Sequence, residues 1–453
     1  MMRRIGLALG RALTPVAAQA AGEVTEFTLD NGMHVVVIED HRSPVITHMV
    51  WYRAGAADEP LGVSGVAHFL EHLMFKAPAD LATREFSEIV EANGGSDNAF
   101  TSWDATAYHQ TVASDRLGLM MQMEADRMRD LIFDPQQVAT ERSVVLEERA
   151  QRLDTSPGGL FNEQLSAVIY LNHPYGRPII GWRHEIEDLQ LEDMQDWYET
   201  HYHPNNAILI VAGDATPDEV RALAEQHYGP IPANPDIQPF ESRERPQEPP
   251  HTAPRRVVFE DERVANPYVS INWLTTERNA GDQEEAAALF LLASVLGGSD
   301  LTSVLSRELE IEERRSLFAG AYYDSTALDP STFTLLNMPV PGRSLDQAEA
   351  DILAEIDEFL EEGIDPAQFE RIQFQIAAAQ IYDQDDVEDL ANSYGFALTG
   401  GLTVADIQAW PEIVANTTID DVMAAARTLF ANDATITGYL TRPAPETAPE
   451  VTQ

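Results

Sequence analysis

The 453-residue chain contains no cysteine. That excludes disulfide cross-links, thiolate metal ligands and a cysteine nucleophile, so any metal here must be held by histidine and carboxylate. Basic charge is scarce: 29 Lys and Arg stand against 75 Asp and Glu, for a net charge of −46. Lys76 is the single lysine. A field that negative repels nucleic acid and anionic lipid, which argues against either as a partner. It favours cationic over acidic peptides, weakly once salt screens it. Long hydrophobic runs are missing as well, and no segment approaches the length of a membrane-spanning helix. The remaining composition is ordinary for a globular protein, with 44% hydrophobic and 23% charged residues. The length suffices for two domains with cores of their own.

The N-terminus reads as a signal peptide over residues 1–21. Arg3 and Arg4 precede a mostly apolar stretch, interrupted by Arg11, and Ala18-Gln19-Ala20 is a cleavage pattern. The expected location is therefore periplasmic or secreted.

One stretch concentrates chemistry. Residues 65–76 read Gly-Val-Ala-His-Phe-Leu-Glu-His-Leu-Met-Phe-Lys. Val66, Phe69, Leu70, Leu73 and Ala77 recur at helical spacing and predict a core-facing stripe. His68 and His72, four apart, stack one turn over the other on the opposite face, with Glu71 beside them. Two imidazoles and a carboxylate so placed can supply two zinc ligands and a base for an attacking water, in the inverse order of the commoner H-E-x-x-H pattern. Three protein ligands are needed. The helix predicted after Pro135 places Glu141 and Glu148 two turns apart on one face, with Glu147 pointing elsewhere, and its spacing nominates either one.

Around this stretch the pattern predicts hairpin strands at 23–29 and 33–39 about Asp30-Asn31-Gly32, then a strand at 44–53. A helix at 84–92, strands at 98–101 and 105–112, and helices at 114–130 and 136–152 follow. A helix at 191–201, a buried strand at 207–212 and a helix at 217–227 complete the first half. Prolines crowd residues 229–255 and mark a linker. Beyond it, Glu260-Asp261, Pro267 and Trp273 repeat the order of Glu39-Asp40, Pro44 and Trp51, and the following helix, at 284–296, lacks histidine. The expected organisation is a signal peptide (1–21), a metal-binding domain (22–232), a linker (233–255), a metal-free homologous domain (256–445) and a tail (446–453). The fold class is α+β, two tandem homologous domains, each a largely antiparallel sheet packed with helices.

His68-Phe69-Leu70-Glu71-His72, followed about seventy-five residues on by Glu-Arg-x-Val-Val-Leu-Glu-Glu, resembles the pitrilysin/insulinase family of inverted-motif zinc peptidases, to which mitochondrial processing peptidase and its bacterial relatives belong. Asn98-Ala99-Phe100-Thr101, His173-Pro174-Tyr175-Gly176 and His203-Pro204-Asn205-Asn206 sit where the family has similar runs. The resemblance implies one Zn2+ per chain held by His68, His72 and Glu148. It makes Glu71 the catalytic base and Glu141 a glutamate that helps hold the site. It implies peptide substrates bound along Asn98, Ala99, Phe100 and Thr101, and broad hydrolysis of internal bonds in short or unfolded peptides. Relatives whose second half completes the site carry an Arg followed by Gly-Leu-Ala-Tyr. Here Arg307 and Tyr322 stand in the matching region at a different spacing, without that run. That departure leaves open whether Arg307 and Tyr322 contact substrate. It also leaves open a homodimer or a heterodimer with a metal-free homologous subunit. The alternatives to a peptidase are a non-catalytic or partner-dependent subunit and a periplasmic zinc-binding protein. His48, His109, His173, His201 and His203 read as packing or surface residues.

Overall fold

The computed structural model describes residues 22–76, 85–299, 301–383 and 385–443. The signal-peptide and tail expectations, and Ala77 of the apolar stripe, fall outside these residues.

Strands β1 (Val24–Thr28) and β2 (His34–Glu39) form the expected hairpin, in antiparallel register from Thr28 opposite His34. There follow β3 (Val45–Tyr52), α1 (Val66–Met74), α2 (Glu85–Ala92), β4 (Ser96–Thr101) and β5 (Thr106–Ala113). Then come α3 (Leu117–Arg129), α4 (Pro135–Arg149), α5 (Pro157–Ile169), α6 (Arg183–Asp188), α7 (Leu191–His201), β6 (Ala207–Gly213) and α8 (Pro217–His227). The second half runs β7 (Arg255–Glu260), β8 (Tyr268–Thr275), α9 (Glu284–Gly297), β9 (Ser316–Tyr323), β10 (Ser331–Pro339), α10 (Leu345–Glu362) and α11 (Pro366–Asp383). It closes with α12 (Val387–Thr399), α13 (Val404–Asn416), α14 (Ile419–Phe430) and β11 (Ile436–Thr441).

The first sheet has the order β1-β2-β6-β3-β5-β4 and the second β7-β11-β8-β10-β9. Setting β1 aside, the two orders superpose. Each has one parallel pair, β2 with β6 and β7 with β11, and is otherwise antiparallel. The expected α+β fold of two tandem, related units is what the chain adopts. In both, a helix fills the connection to the last strand of the sheet: α1 before β4, α9 before β9.

Strand alternation feeds two cores. Val35, Val37, Ile46, Val50, Leu209 and Val211 face α1 and α3, while Val36, Ile38, Met49, Trp51, Ile208 and Ile210 face the other way. That second face is covered by α12, from the far half of the chain, through Ala391, Tyr394 and Leu398. The exchange is reciprocal, since α5 of the first half lays Phe161, Leu165 and Ile169 against Ile436, Leu440 and Val264 of the second. Neither swapped helix has a sequence signal for its destination.

Beneath α1 and α2 lies an ion pair, Glu124–Arg127, with both side chains fully buried and 2.5 Å apart. The Arg127 guanidinium also stacks on Phe75, Phe86 and Tyr108. The proline-rich linker is pinned to both halves. Arg243 donates to the Arg53 carbonyl at 2.8 Å. Arg245 reaches Asp58 at 3.0 Å and both Asp104 and Asp329 at 2.6 Å.

Candidate metal centre

Helix α1 is anchored by one group just ahead of it in the chain and by a turn distant in sequence. Gly65 is its N-cap, at φ +88°, and offers no capping side chain. The buried Glu59 fills that role. Its two carboxylate oxygens accept from the N–H of Gly65 at 2.9 Å and of Ala67 at 3.0 Å, meeting donors that the first turn leaves unpaired. Burial pushes the Glu59 carboxyl up to about 8 against those bonds. The helix start crosses the Ile180-Gly181 turn at backbone contact. A Cβ on Gly65 would lie 2.4 Å from the Ile180 carbonyl oxygen, and one on Gly181 would lie 2.4 Å from that of Ser64. Gly181 is itself at φ +92°. Only glycine fits either position.

The expected polar face of α1 is largely shielded from bulk water. His68 and Glu71 are buried, at 7% and 8% exposure, only slightly less than the apolar stripe. The two imidazoles lie 4.8 Å apart between centroids. Helix α4 brings in Glu148, whose Oε2 is 3.1 Å from His72 Nε2 and 3.6 Å from His68 Nε2. Among the described residues, His68, His72 and Glu148 are the one group of three or more such side chains able to share an ion. A tetrahedral zinc at about 2.0–2.2 Å from each ligand needs ligand atoms about 3.4 Å apart; the two distances to Glu148 bracket that value, and all three ligand atoms lie within 4.8 Å of one another. Glu148 Oε2 is also buried without a hydrogen-bond partner, as is His68 Nδ1. A buried, unsatisfied carboxylate oxygen facing two ring nitrogens fits a cation, and the donor set suits zinc.

Glu141, one turn pair earlier on α4, stands behind His72, with its Oε1 2.9 Å from Nδ1. A proton on Nδ1 donated to Glu141 leaves Nε2 free to face Glu148. Burial would lower the His72 pKa, but the Glu141 and Glu148 carboxylates beside its ring outweigh burial and raise it to about 9. His68, buried and next to His72, is lowered to about 4. Burial raises the Glu71 pKa, opposed by a hydrogen bond that its Oε2 accepts from Thr101 Oγ1 at 2.7 Å. Glu147 is exposed and turned away.

Several supporting residues had no place in the sequence reading. Arg152, on the π-helical turn Ala150–Asp154 that continues α4, holds Glu148 Oε1 at 2.9 Å. Its i, i+4 spacing was the one available signal. Arg149 ties α4 to the Gly181 carbonyl at 2.8 Å and to Glu163 of α5 at 2.6 Å.

These groups open on a cavity of about 570 Å³ whose walls include His68, Glu71, His72, Glu148 and all of Asn98, Ala99, Phe100 and Thr101. Among the described residues, β4 is the last strand of its sheet and pairs only with β5, which leaves its other backbone edge open. Arg307 and Tyr322 are not among the lining residues. Arg307 is surface-exposed and bonded to the adjacent Glu308, and Tyr322 is exposed on β9. His48 is fully buried between Gln110 and Tyr228. His173 lies 3.2 Å from Asp329.

The family model described as insulinase (peptidase family M16) matches residues 34–182, and that of the peptidase M16 inactive domain matches residues 188–376. The zinc protease PqqE of Helicobacter pylori is 28% identical over 368 residues, 81% of either chain. An uncharacterised zinc protease of Mycobacterium bovis is 30% identical over 318 residues, 70% of this chain and 69% of that one. The crystal structure of a protease from Helicobacter pylori superposes with a TM-score of 0.85 at 26% identity, covering 94% of this chain and 100% of the other. No helix among the described residues is long and apolar enough to cross a membrane.

Proposed function

The chain belongs to the insulinase family, peptidase family M16, and from that premise we propose that it is a zinc metalloendopeptidase acting on short or unfolded peptides. One observation carries the reading: the unsatisfied Glu148 Oε2 faces both imidazoles, with Glu71 beside them, at the foot of an open strand edge. His68, His72 and Glu148 would hold the ion, two neutral ligands and one charged, leaving the site net positive. When bound there, zinc supplies a Lewis acid that lowers the pKa of water toward about 7 and stabilises oxyanion charge.

The chain's own groups do the rest. Glu141 fixes the His72 tautomer, and Arg152 occupies Glu148 Oε1 so that Oε2 is left for the ion. The peptide adds to the open edge of β4 as an extra strand, held by backbone bonds that tolerate many side chains. Glu71 takes the proton of the attacking water and passes it to the leaving amine. Its burial favours proton uptake, and Thr101 fixes its orientation.

The test is Glu71→Gln. It should keep zinc-dependent thermal stabilisation and lose roughly 10²–10⁴-fold in peptide turnover. Parent-rate cleavage by the zinc-loaded variant sinks the assignment. A second reading follows from the position of Arg307 and Tyr322 outside the cavity: the chain is then the metal-bearing subunit of a homodimer or of a complex with a metal-free homologue. Cleavage by a species that stays monomeric in light scattering rules that reading out. Export is part of the proposal, and N-terminal sequencing of the mature protein for loss of residues 1–20 tests it.

A further inference from the structure

The walls of the metal cavity carry charge that the hydrolytic groups do not use. Beyond His68, Glu71, His72 and Glu148, three charged side chains line it: Arg152, Glu163 and Arg177. Glu163 is neutralised by Arg149 at 2.6 Å. Arg152 spends one nitrogen on Glu148 Oε1 at 2.9 Å, while the other oxygen of that carboxylate faces the two imidazoles. Arg177 spends one nitrogen on the Glu59 backbone carbonyl at 2.9 Å. Among the described residues, no carboxylate but Glu148 pairs with Arg152, and none pairs with Arg177. A guanidinium carries five N–H donors in a planar fork, so both keep donors for a ligand. Asn162 and Ser166, four apart on α5, add an amide and a hydroxyl to the lining.

Both arginines stand on backbone that is held in place. Trp103 Nε1 donates to the Arg177 carbonyl at 3.0 Å. The turn bearing Arg152 meets α5 so closely that a Cβ on Gly159 would lie 3.0 Å from the Leu153 Cα and 3.1 Å from the Arg152 carbonyl oxygen. The same cavity contains the edge strand over Asn98–Thr101, so a peptide added to β4 lies within reach of these groups. At long range the chain's net charge of −46 favours cationic peptides. At contact distance the sign reverses. Leaving aside Glu71, which works on the water, the unmatched charge of the walls is positive, and an ion held by His68, His72 and Glu148 would add to it.

We infer that Arg152 and Arg177 form a carboxylate subsite of the peptide groove, so that favoured substrates carry a carboxylate near the cleaved bond. The inference rests on the peptidase reading above. That carboxylate is an Asp or Glu side chain or the peptide's own C-terminus, since a guanidinium takes either through the same paired hydrogen bonds. The probes are quenched peptides with Glu, Gln, Arg or Ala in turn at each position flanking the cleaved bond. The Ala peptide is also made as free acid and as amide, ending at successive distances from that bond. The variants are Arg177→Gln, Arg152→Gln and Asn162→Asp. Asn162 is exposed, and its replacement changes charge at constant shape. Arg152→Gln also loosens Glu148, so each variant is judged by the ratio of charged to neutral peptide, which a shared loss of zinc does not move. At one position Glu should exceed Gln, or the acid the amide, by about 10–100-fold in kcat/KM, through KM. Each arginine variant should cut that ratio about 5-fold or more, and Asn162→Asp should shrink it too. The same peptides titrated against Glu71→Gln by fluorescence anisotropy should show the same selectivity in Kd. Selectivity for the Glu peptide supports the subsite with a side chain as its ligand, and selectivity for the free acid supports it with the C-terminus. The subsite is overturned by a preference for Arg, by no preference in either assay, or by a carboxylate preference that both arginine variants leave intact. Selective binding to Glu71→Gln with no cleavage by the parent sustains the subsite and overturns the peptidase reading instead.

Discussion

Glu141 does not itself line the cavity, yet its carboxylate decides which nitrogen of His72 carries the proton. Glu141→Gln keeps the shape of that contact and loses its charge. Zinc affinity should fall about 10–100-fold, read by competition with a chromophoric chelator. Glu148→Gln should abolish the zinc-induced rise in Tm altogether. Elsewhere one buried residue contributes to acid sensitivity. His48, buried between Gln110 and Tyr228, is held down to about 4 by burial. The unfolded chain binds this proton from about pH 6.5 and the folded one does not until about 4, so stability is complete above 6.5 and falls as pH drops through that window. The full loss is about 3 kcal/mol. His48→Gln should reduce the slope of the Tm–pH curve there; an unchanged slope refutes the assignment. At this scale the sequence was legible where chemistry is local: His68, Glu71 and His72 share one helix and Glu141 and Glu148 another, so spacing fixes their relation. Arg149 was not, because it acts on the Gly181 backbone, which only the fold brings near.

The helix α1 depends on what its neighbours supply. Its start is capped by Glu59 and wedged against Gly181, and the second contact forms only when the 170–181 turn is in place. Gly181→Ala would require a left-handed alanine with its methyl against the Ser64 carbonyl. It should cost about 1–3 kcal/mol or more and weaken zinc binding in step, as seen by urea denaturation with and without metal. A loss of stability with zinc affinity unchanged would mean that α1 does not feel the turn. Strands and hairpins could be read in advance because alternation and Asp-Asn-Gly leave marks in sequence, and β4 and β5 fall within a residue or two of their expected bounds. Helix α5 left no such mark. It opens on Pro157-Gly158-Gly159, which reads as a breaker, and its apolar stripe gives no hint that the sheet it covers lies far along the chain.

Across the whole molecule, Arg245 is the point where both halves and the linker meet. It is the shared cation of Asp58, Asp104 and Asp329, all at most one-fifth exposed. Removing it leaves three carboxylates facing one another. Arg245→Met should destabilise the protein by about 3–5 kcal/mol near neutral pH. Burial already raises Asp104 to about 6, so protonation relieves the repulsion and the penalty should shrink at pH 5. An equal Tm loss at both pH values would show that the clamp is not electrostatic.

The exchange of α5 and α12 bears on how such a protein can be divided. Residues 22–232 form a contiguous stretch of chain but not a self-sufficient particle. Expressed alone, they would carry Phe161, Leu165 and Ile169 with nothing to rest on, and leave Trp51 and its sheet face bare. Such a fragment should aggregate, whereas co-expression with residues 233–443 should restore a soluble complex with the zinc centre intact. The duplicated half then serves as an intramolecular chaperone for the half that carries the metal.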